Sequence, residues 1–382
     1  MAKQAYVYSG TDWVPLASEV TNLTAYQTKA LAQAPYRNLI INGDMQVAQR
    51  GTSVASITTD GYRTVDRYYF GPNSMGTWTM SQENDAPTGS GLRQSAKVLC
   101  TTADASPAAG DYVLFVQRIE GQNLQHLKKG TASAEQLTLS FWVKSNVTGT
   151  YIAELQDYDN SRQVSKSYTV SASGVWERKT ITFPADTTGV LDNDNNTGIA
   201  LNMWLGAGST YTSGTLNSSS WAANTDANRT VGQTNLASAT SNYWQVTGVQ
   251  LEVGDTATPF EFKPFAQDLA ECQRYYYRNS SSTSNNYVRV AQGHVGSGSS
   301  TSLYAHTYMP VTLRANPSSV EFANLGAWNG GNPIAISAVV LESVAPSVVT
   351  LLYTSSGLTS TAPYVVIGNN NASAYLGISA EL

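Results

Sequence analysis

Charge is scarce in this chain. Asp, Glu, Lys and Arg make up 13% of its 382 residues, about half the usual share. The balance is slightly acidic, at −5, and no more than two basic residues stand side by side. Such a surface does not attract a phosphate backbone, which argues against nucleic-acid binding. Histidine is nearly absent: His126, His294 and His306 are the only three. No His-x-x-x-His or Cys-x-x-Cys spacing occurs, so zinc catalysis has almost no support. No Gly-x-Ser-x-Gly elbow and no phosphate-binding glycine loop is present. Cys100 and Cys272 are the only cysteines. The opening residues lack the apolar core of a signal peptide, and no apolar run reaches membrane-span length. A chain made in the cytosol is expected, and with it two free thiols.

What is abundant is aromatic and β-branched. Tyr occurs 22 times and Trp 8 times, amid much Ser, Thr, Asn and Gly. That mixture suits pleated sheets and argues against disorder. Period-two runs recur between residues 37 and 264. Leu137, Leu139, Phe141 and Val143 share one face, with Thr138, Ser140, Trp142 and Lys144 opposite. Ile199, Leu201, Met203 and Leu205 oppose Asn202 and Trp204, and Val249, Leu251 and Val253 oppose Gln250 and Glu252. One apolar and one polar face indicates an antiparallel sandwich. The spacing suits eight to ten strands, a jelly roll. Long loops are expected at 85–95, 186–197 and 210–239.

The fold class read from this pattern is mainly β. It comprises a jelly-roll sandwich over 37–264, a linker helix over 265–278 and a second, smaller sandwich over 279–382. The last module opens with a Ser/Asn linker at 279–286. Seven strands follow, near 287–292, 302–309, 319–323, 334–341, 348–353, 364–367 and 374–380. Residues 1–36 read as a hairpin around Ser9-Gly10-Thr11-Asp12, then a helix near 26–34 that stops at Pro35. So short a piece cannot build a core alone. Its Tyr6, Tyr8 and Trp13 are therefore expected to bury against another chain, as an oligomer contact.

Chemistry is thin. The pairs Asp157/Asp159 and Asp192/Asp194 sit in apparent loops, where Asx side chains favour turns. A calcium loop at 192–196 is the alternative. Glycosidase catalysis would need two opposed carboxylates, and no enzyme activity is expected. Binding surfaces have better support. Trp142 and Trp204 point off the apolar faces of their strands. They either form a sugar-stacking platform on a concave sheet or seal a second apolar layer or a subunit interface. Tyr304, His306 and Tyr308 share one face of a strand and either contact a ligand or line an axis between subunits.

Several segments, taken together and in order, carry a resemblance. They are 37–51 (Arg-Asn-Leu-Ile-Ile-Asn-Gly-Asp-Met-Gln-Val-Ala-Gln-Arg-Gly), Asp66-Arg67-Tyr68, Gln117-Arg118-Ile119-Glu120-Gly121, 139–145 (Leu-Ser-Phe-Trp-Val-Lys-Ser), 247–254 (Thr-Gly-Val-Gln-Leu-Glu-Val-Gly), Ala257-Thr258-Pro259-Phe260-Glu261 and Cys272-Gln273-Arg274-Tyr275-Tyr276. This set resembles the fibre and appendage proteins of tailed bacteriophages, notably short-tailed marine and cyanobacterial phages. The resemblance covers residues 37 to 278. It implies a jelly roll similar to carbohydrate-binding modules in a homotrimeric tail or capsid fibre. The virion would assemble in the host cytoplasm. Residues 1–36 would meet tail, neck or capsid proteins, and the terminal module would meet a host surface glycan. It also implies a structural calcium ion held by Asn42, Asp44 and Glu252. The residues themselves leave open that Asn42-Gly43-Asp44 is simply a turn.

Overall fold

A computed structural model describes residues 6–8, 13–15, 36–283 and 285–382. The first two segments are β1 (Tyr6–Tyr8) and β2 (Trp13–Pro15), an antiparallel pair with Tyr8 opposite Trp13. The helix expected at 26–34, and the side chains of Tyr6, Tyr8 and Trp13, lie outside the described residues.

The rest of the chain is mainly β, built as two antiparallel sandwiches. The first uses β3 (Ser53–Ile57), β4 (Gly61–Tyr62), β5 (Tyr69–Asn73), β6 (Thr77–Glu83), β7 (Ser95–Thr102), β8 (Tyr112–Glu120) and β9 (Leu137–Ser145). It continues with β10 (Gly149–Asp157), β11 (Arg162–Val170), β12 (Glu177–Phe183), β13 (Thr197–Ala207), β14 (Ala222–Ala223) and β15 (Tyr243–Val253). A seven-stranded sheet runs β14-β11-β10-β13-β8-β5-β4, and a six-stranded sheet runs β12-β9-β15-β7-β6-β3. Short edge pairings such as β4 and β14 carry the count beyond the eight to ten expected.

The apolar stripes read from the sequence do form the core. Leu139, Phe141, Val143, Leu201, Met203, Leu205, Val249 and Leu251 pack into one cluster between the sheets. The opposite faces are not solvated, however. Thr138, Ser140, Asn202, Trp204, Gln245, Thr247, Gln250 and Glu252 are buried too. Loops roof both outer faces and bring the hydrogen bonds that buried polar groups require. Over the six-stranded sheet, Asp85 accepts from Lys144 (2.8 Å) and Gln245 (3.2 Å), and Thr247 donates to the Gln94 carbonyl (2.6 Å). Glu252 accepts from the Thr258 amide at 2.9 Å, and the Glu261 amide donates to Gln250 at 2.8 Å.

Thr247-Gly248-Val249 is a bulge. The pairing of β15 with β9 slips between Thr247 and Gln250, and Gly248 takes φ +60°. A side chain there would stand 2.8 Å from Leu92 and 3.3 Å from Trp142. The 37–45 segment lies along this bulge: the Val249 amide donates to the Gly43 carbonyl at 2.8 Å and the Leu39 amide to the Leu251 carbonyl at 2.8 Å. A Cβ on Gly43 would sit 2.2 Å from the Val249 oxygen, so only glycine fits.

The helix behind the sandwich runs Phe265–Gln273, shorter than the 265–278 expected. The aromatic residues after it are extended: β16 (Tyr276–Ser280) pairs with β25 (Tyr375–Ser379). Branched and aromatic side chains favour that state. The predicted linker at 279–286 thus begins as strand. The remaining strands are β17 (Arg289–Val295), β18 (Ser302–Tyr308), β19 (Ser319–Ala323), β20 (Leu325–Trp328), β21 (Ile334–Ala335), β22 (Ala338–Val344), β23 (Val348–Thr354) and β24 (Pro363–Gly368). A three-stranded sheet, β16-β25-β19, faces a seven-stranded one, β21-β20-β24-β17-β18-β23-β22. Strands β16 and β20 were not expected, and the run near 334–341 divides into β21 and β22. Among the described residues no helix is long and apolar enough to cross a membrane.

The second sandwich is fastened to the first through buried charges. Glu120 is fully buried and accepts from Arg274 Nε (3.0 Å) and Nη2 (2.8 Å) and from the Tyr275 hydroxyl. Arg67, also buried, pairs with Glu381, donates to the Arg118 carbonyl at 2.7 Å and stacks 3.3 Å from the Tyr275 ring centre. Arg50 stacks 3.4 Å from Tyr276 and pairs with Glu381 at 3.3 Å. Arg118 and the Tyr62 hydroxyl both donate to the Leu382 carbonyl, at 2.7 and 3.0 Å. Arg314 donates to the Asn195 carbonyl at 2.7 Å and to that of Ala380 at 2.6 Å.

This junction yields a pH prediction. Burial alone would raise the Glu120 carboxyl, but hydrogen bonds from Arg274 and Tyr275 outweigh it and hold it below its ordinary 4.5. A depressed acid contributes stability that is complete above its unfolded value and is lost as pH falls through the folded one. Glu120→Gln should cost about 1–3 kcal/mol at pH 7, because it weakens the charge-assisted hydrogen bonds from Tyr275 and from Arg274, whose side chain is still one-third exposed to water. That cost should shrink below about pH 4. Urea unfolding at pH 7 and pH 3 checks it; an equal cost at both would remove the ion pair from the account.

Candidate functional site

The outward face of the seven-stranded sheet of the first module carries a groove. Strand alternation sends Tyr69 of β5, Tyr112 and Arg118 of β8, Gln156 of β10, and Asn202 and Trp204 of β13 to this side. The core receives Phe70, Phe115, Leu155, Leu201 and Met203. Tyr158, Tyr211 and Arg229 join from the loops and close a cavity of about 190 Å3.

One buried carboxylate organises its floor. Glu154, fully buried, accepts both Nε and Nη2 of Arg229 at 2.8 Å. It also accepts Trp204 Nε1 at 3.0 Å and Asn202 Nδ2 at 2.9 Å. The Arg229 guanidinium lies 4.9 Å from the Trp204 ring centre. This two-pronged pair ties the 208–234 segment down over the sheet. Tyr211, carried by that segment, meets Tyr112 edge-on at 5.5 Å and Trp204 at 5.3 Å. On the far wall Arg118 stacks 4.5 Å from Tyr69.

Tyr158 is 46% exposed at the rim, whereas Trp204 on the floor is 1% exposed. Burial pushes the Tyr69, Tyr112 and Tyr211 phenols up, so they are neutral hydrogen-bond donors at physiological pH. The groove therefore presents ring edges and faces, the Gln156 amide and the Arg118 guanidinium, with Asn202 and Arg229 committed to Glu154 beneath. It can stack on an apolar ring face and bond hydroxyls around its rim. Its lining residues include no aspartate or glutamate.

The site residues read from the sequence fall in four different places. Trp142 and Trp204 do not share a platform: Trp142 belongs to the six-stranded sheet and Trp204 to the seven-stranded one. Trp142 is half-buried under Leu92 and the Gly248 bulge. Tyr304, His306 and Tyr308 do share the outer face of β18, since Leu303, Ala305 and Thr307 between them are buried. His306 is exposed and lies 3.0 Å from the Thr350 hydroxyl, and Tyr308 is 73% exposed. Sequence reasoning missed the tyrosines of the groove. Tyr112 begins a strand and Tyr211 sits in a Ser/Thr-rich loop, and neither position carries a periodic signal.

Asn42, Asp44 and Glu252 do not fit a calcium site. Asn42 donates to the carbonyls of Val47 (2.9 Å) and Asp66 (3.0 Å) and accepts the Val47 amide (2.9 Å), closing a turn. Glu252 is occupied by Thr258 and Gln250. Asp44 keeps one oxygen without a partner, but the carboxylate that acts on it is Asp268, not Glu252. Burial, then the nearby Asp44 charge, raises Asp268 to about 6. The 192–196 stretch is a hydrogen-bonded loop: Asp194 accepts the Asn196 amide at 3.0 Å and Asn195 donates to the Arg314 carbonyl at 2.5 Å. No group of three or more His, Cys, Asp or Glu able to hold a metal occurs among the described residues. Cys100 and Cys272 are buried and free.

No protein-family model matches the chain, and no curated protein sequence does. Similar solved structures include the enzymatically active domain of tailspike protein 4 of bacteriophage CBA120. It is 14% identical, with a TM-score of 0.30, over 58% of this chain and 22% of that one. A family 4 carbohydrate-binding module is 13% identical with a TM-score of 0.29, over 56% of this chain and 97% of the module. A family 61 module in complex with β-1,4-galactotriose is 8% identical with a TM-score of 0.28, over 57% and 99%. The chain thus spans about a fifth of the tailspike chain. These overlaps carry no functional argument, which is left to the groove.

Removing Arg229 tests how the groove is held. Arg229→Ala leaves Glu154 charged, buried and unpaired, at a cost of about 3–5 kcal/mol. It should also free the 208–234 segment for proteolysis. Limited digestion with thermolysin should cut the variant there well before wild type; identical patterns would mean the ion pair does not hold the roof.

Proposed function

We propose that this chain is a non-enzymatic virion protein of a tailed bacteriophage, a homotrimeric tail fibre or appendage that binds a host surface glycan. The observation that carries the glycan half is the groove of Tyr69, Tyr112, Tyr158 and Tyr211 with Asn202, Gln156 and Arg118 on one sheet face. Aromatic faces suit pyranose rings, and the Gln156 amide and the Arg118 guanidinium suit hydroxyls. A pair of opposed carboxylates, which glycoside hydrolysis needs, is not part of that lining. The virion half rests on the collinear motifs that resemble phage appendage proteins. Residues 1–36 would attach the fibre to tail, neck or capsid. Three chains would present three weak sites together, and avidity would make millimolar single-site affinity useful.

A second reading, a capsid or neck decoration with a purely structural role, is favoured by one observation. The motifs of the resemblance mostly supply the module junction: Arg67, Glu120, Arg274, Tyr275 and Tyr276 act there, and Arg118 alone among these motifs' residues also lines the groove. A depolymerase is the third and weakest reading.

A glycan array of bacterial surface polysaccharides, probed with the full chain, separates these readings. Specific binding is expected, reduced about tenfold or more by Tyr158→Ala and by Tyr211→Ala. Native mass spectrometry should give a trimer. Hits that persist unchanged in both variants would remove the groove from the account, and release of shortened sugar products would point to the depolymerase.

A further inference from the structure

The terminal module carries a second aromatic site unrelated to the groove. Trp328 ends β20 and is half-buried. It lines two cavities on the outer face of the seven-stranded sheet of that module, one of about 490 Å3 and one of about 310 Å3. Strand register extends a row from it across the sheet: Trp328 stands opposite Val365, Val365 opposite Gln292, and Gln292 opposite His306. The larger cavity adds Asn329 and Pro363 to this row. The smaller is lined by Tyr287, Arg289, Asn332 and Pro333 on the other side of the indole.

Charge selects among ligands. Neither lining includes an aspartate or glutamate, in a protein whose net charge is −5. Arg289 is exposed, and no ion pair or side-chain hydrogen bond occupies it among the described residues. An exposed guanidinium beside an indole suits a planar carboxylate held next to a stacked ring. The loop tip between Asn329 and Asn332 is open: a Cβ on Gly330 or Gly331 would meet nothing within 4 Å.

We infer that this surface binds an acidic oligosaccharide across Trp328. One sugar ring stacks on the indole, with hydroxyls bonded by Gln292, His306 and Asn329. A neighbouring uronate presents its carboxylate to Arg289. The inference shares the class of ligand with the groove reading but none of its residues.

The test is calorimetric titration of the full chain with tetragalacturonate, and with cellotetraose as the neutral control, at about 50 and 300 mM salt. Tetragalacturonate should bind more tightly than cellotetraose, and salt should weaken the difference. Trp328→Ala should weaken binding about tenfold or more. Arg289→Gln, at an exposed position that the fold does not use, should remove the preference for the acidic probe. Val340→Ala, at an exposed position on β22 that lines neither cavity, should change neither. Failure of tetragalacturonate to bind, wild-type affinity in Trp328→Ala, or an undiminished acidic preference in Arg289→Gln would each overturn the proposal. A groove that binds no glycan leaves these outcomes unaffected, so the two readings fail separately.

Discussion

A charge taken out of water has to meet its opposite, and in this chain three such meetings decide the arrangement of everything else. Glu154 with Arg229 holds a loop over the first module. Glu120 with Arg274, and Arg67 with Glu381, hold the second module against the first. Each pair is desolvated on at least one side, so losing one partner strands the other at a cost that a surface pair never incurs. Of the buried charges, Arg67, Glu120, Glu154 and Arg229 are committed to this use, while Lys129 with Asp157 and Asp186 forms a further buried group inside the first module.

The junction gives the phage-like motifs a physical meaning. Asp66-Arg67-Tyr68, Gln117-Arg118-Ile119-Glu120-Gly121 and Cys272-Gln273-Arg274-Tyr275-Tyr276 are far apart in sequence and adjacent in space. Gln117 bonds both the amide and the carbonyl of Ile41, Arg118 and Glu120 reach Leu382 and Arg274, and Tyr275 and Tyr276 lie under Arg67 and Arg50. A guanidinium stacked on a ring and paired with a carboxylate is held without water, although the Nε atoms of Arg50 and Arg67 have no hydrogen-bond partner among the described residues. The terminal sandwich is thereby a docked body, not a bead on a Ser/Asn tether. Arg118 connects the two themes, because it bonds the terminal residues and also forms one wall of the groove.

The apolar alternations of β9, β13 and β15 were legible, and so was the two-sandwich plan, because period-two burial is a local property of a strand. Their polar alternates were misleading. Asn202, Gln250 and Glu252 read as solvent-facing, yet they are covered by segments more than four residues away in sequence, which no periodicity reports. Trp142 and Trp204 show the same limit. Each was correctly placed off the apolar stripe of its own strand, but which sheet that strand joins is a matter of pairing. Trp328, an indole ahead of Asn-Gly-Gly-Asn-Pro, falls between the strands expected at 319–323 and 334–341 and ends a strand that the pattern did not show.

The sequence by itself determined the mainly β class, the core stripes, the scarcity of chemistry and the presence of two modules, since side-chain alternation and composition act residue by residue. Tertiary structure alone decided where the charges pair, which polar faces are roofed, and which tyrosines converge on one groove. Those outcomes depend on segments brought together from as few as 6 (Glu252 with Thr258) to as many as 314 residues apart (Arg67 with Glu381), and the energy of a buried polar contact exists only once both partners have arrived.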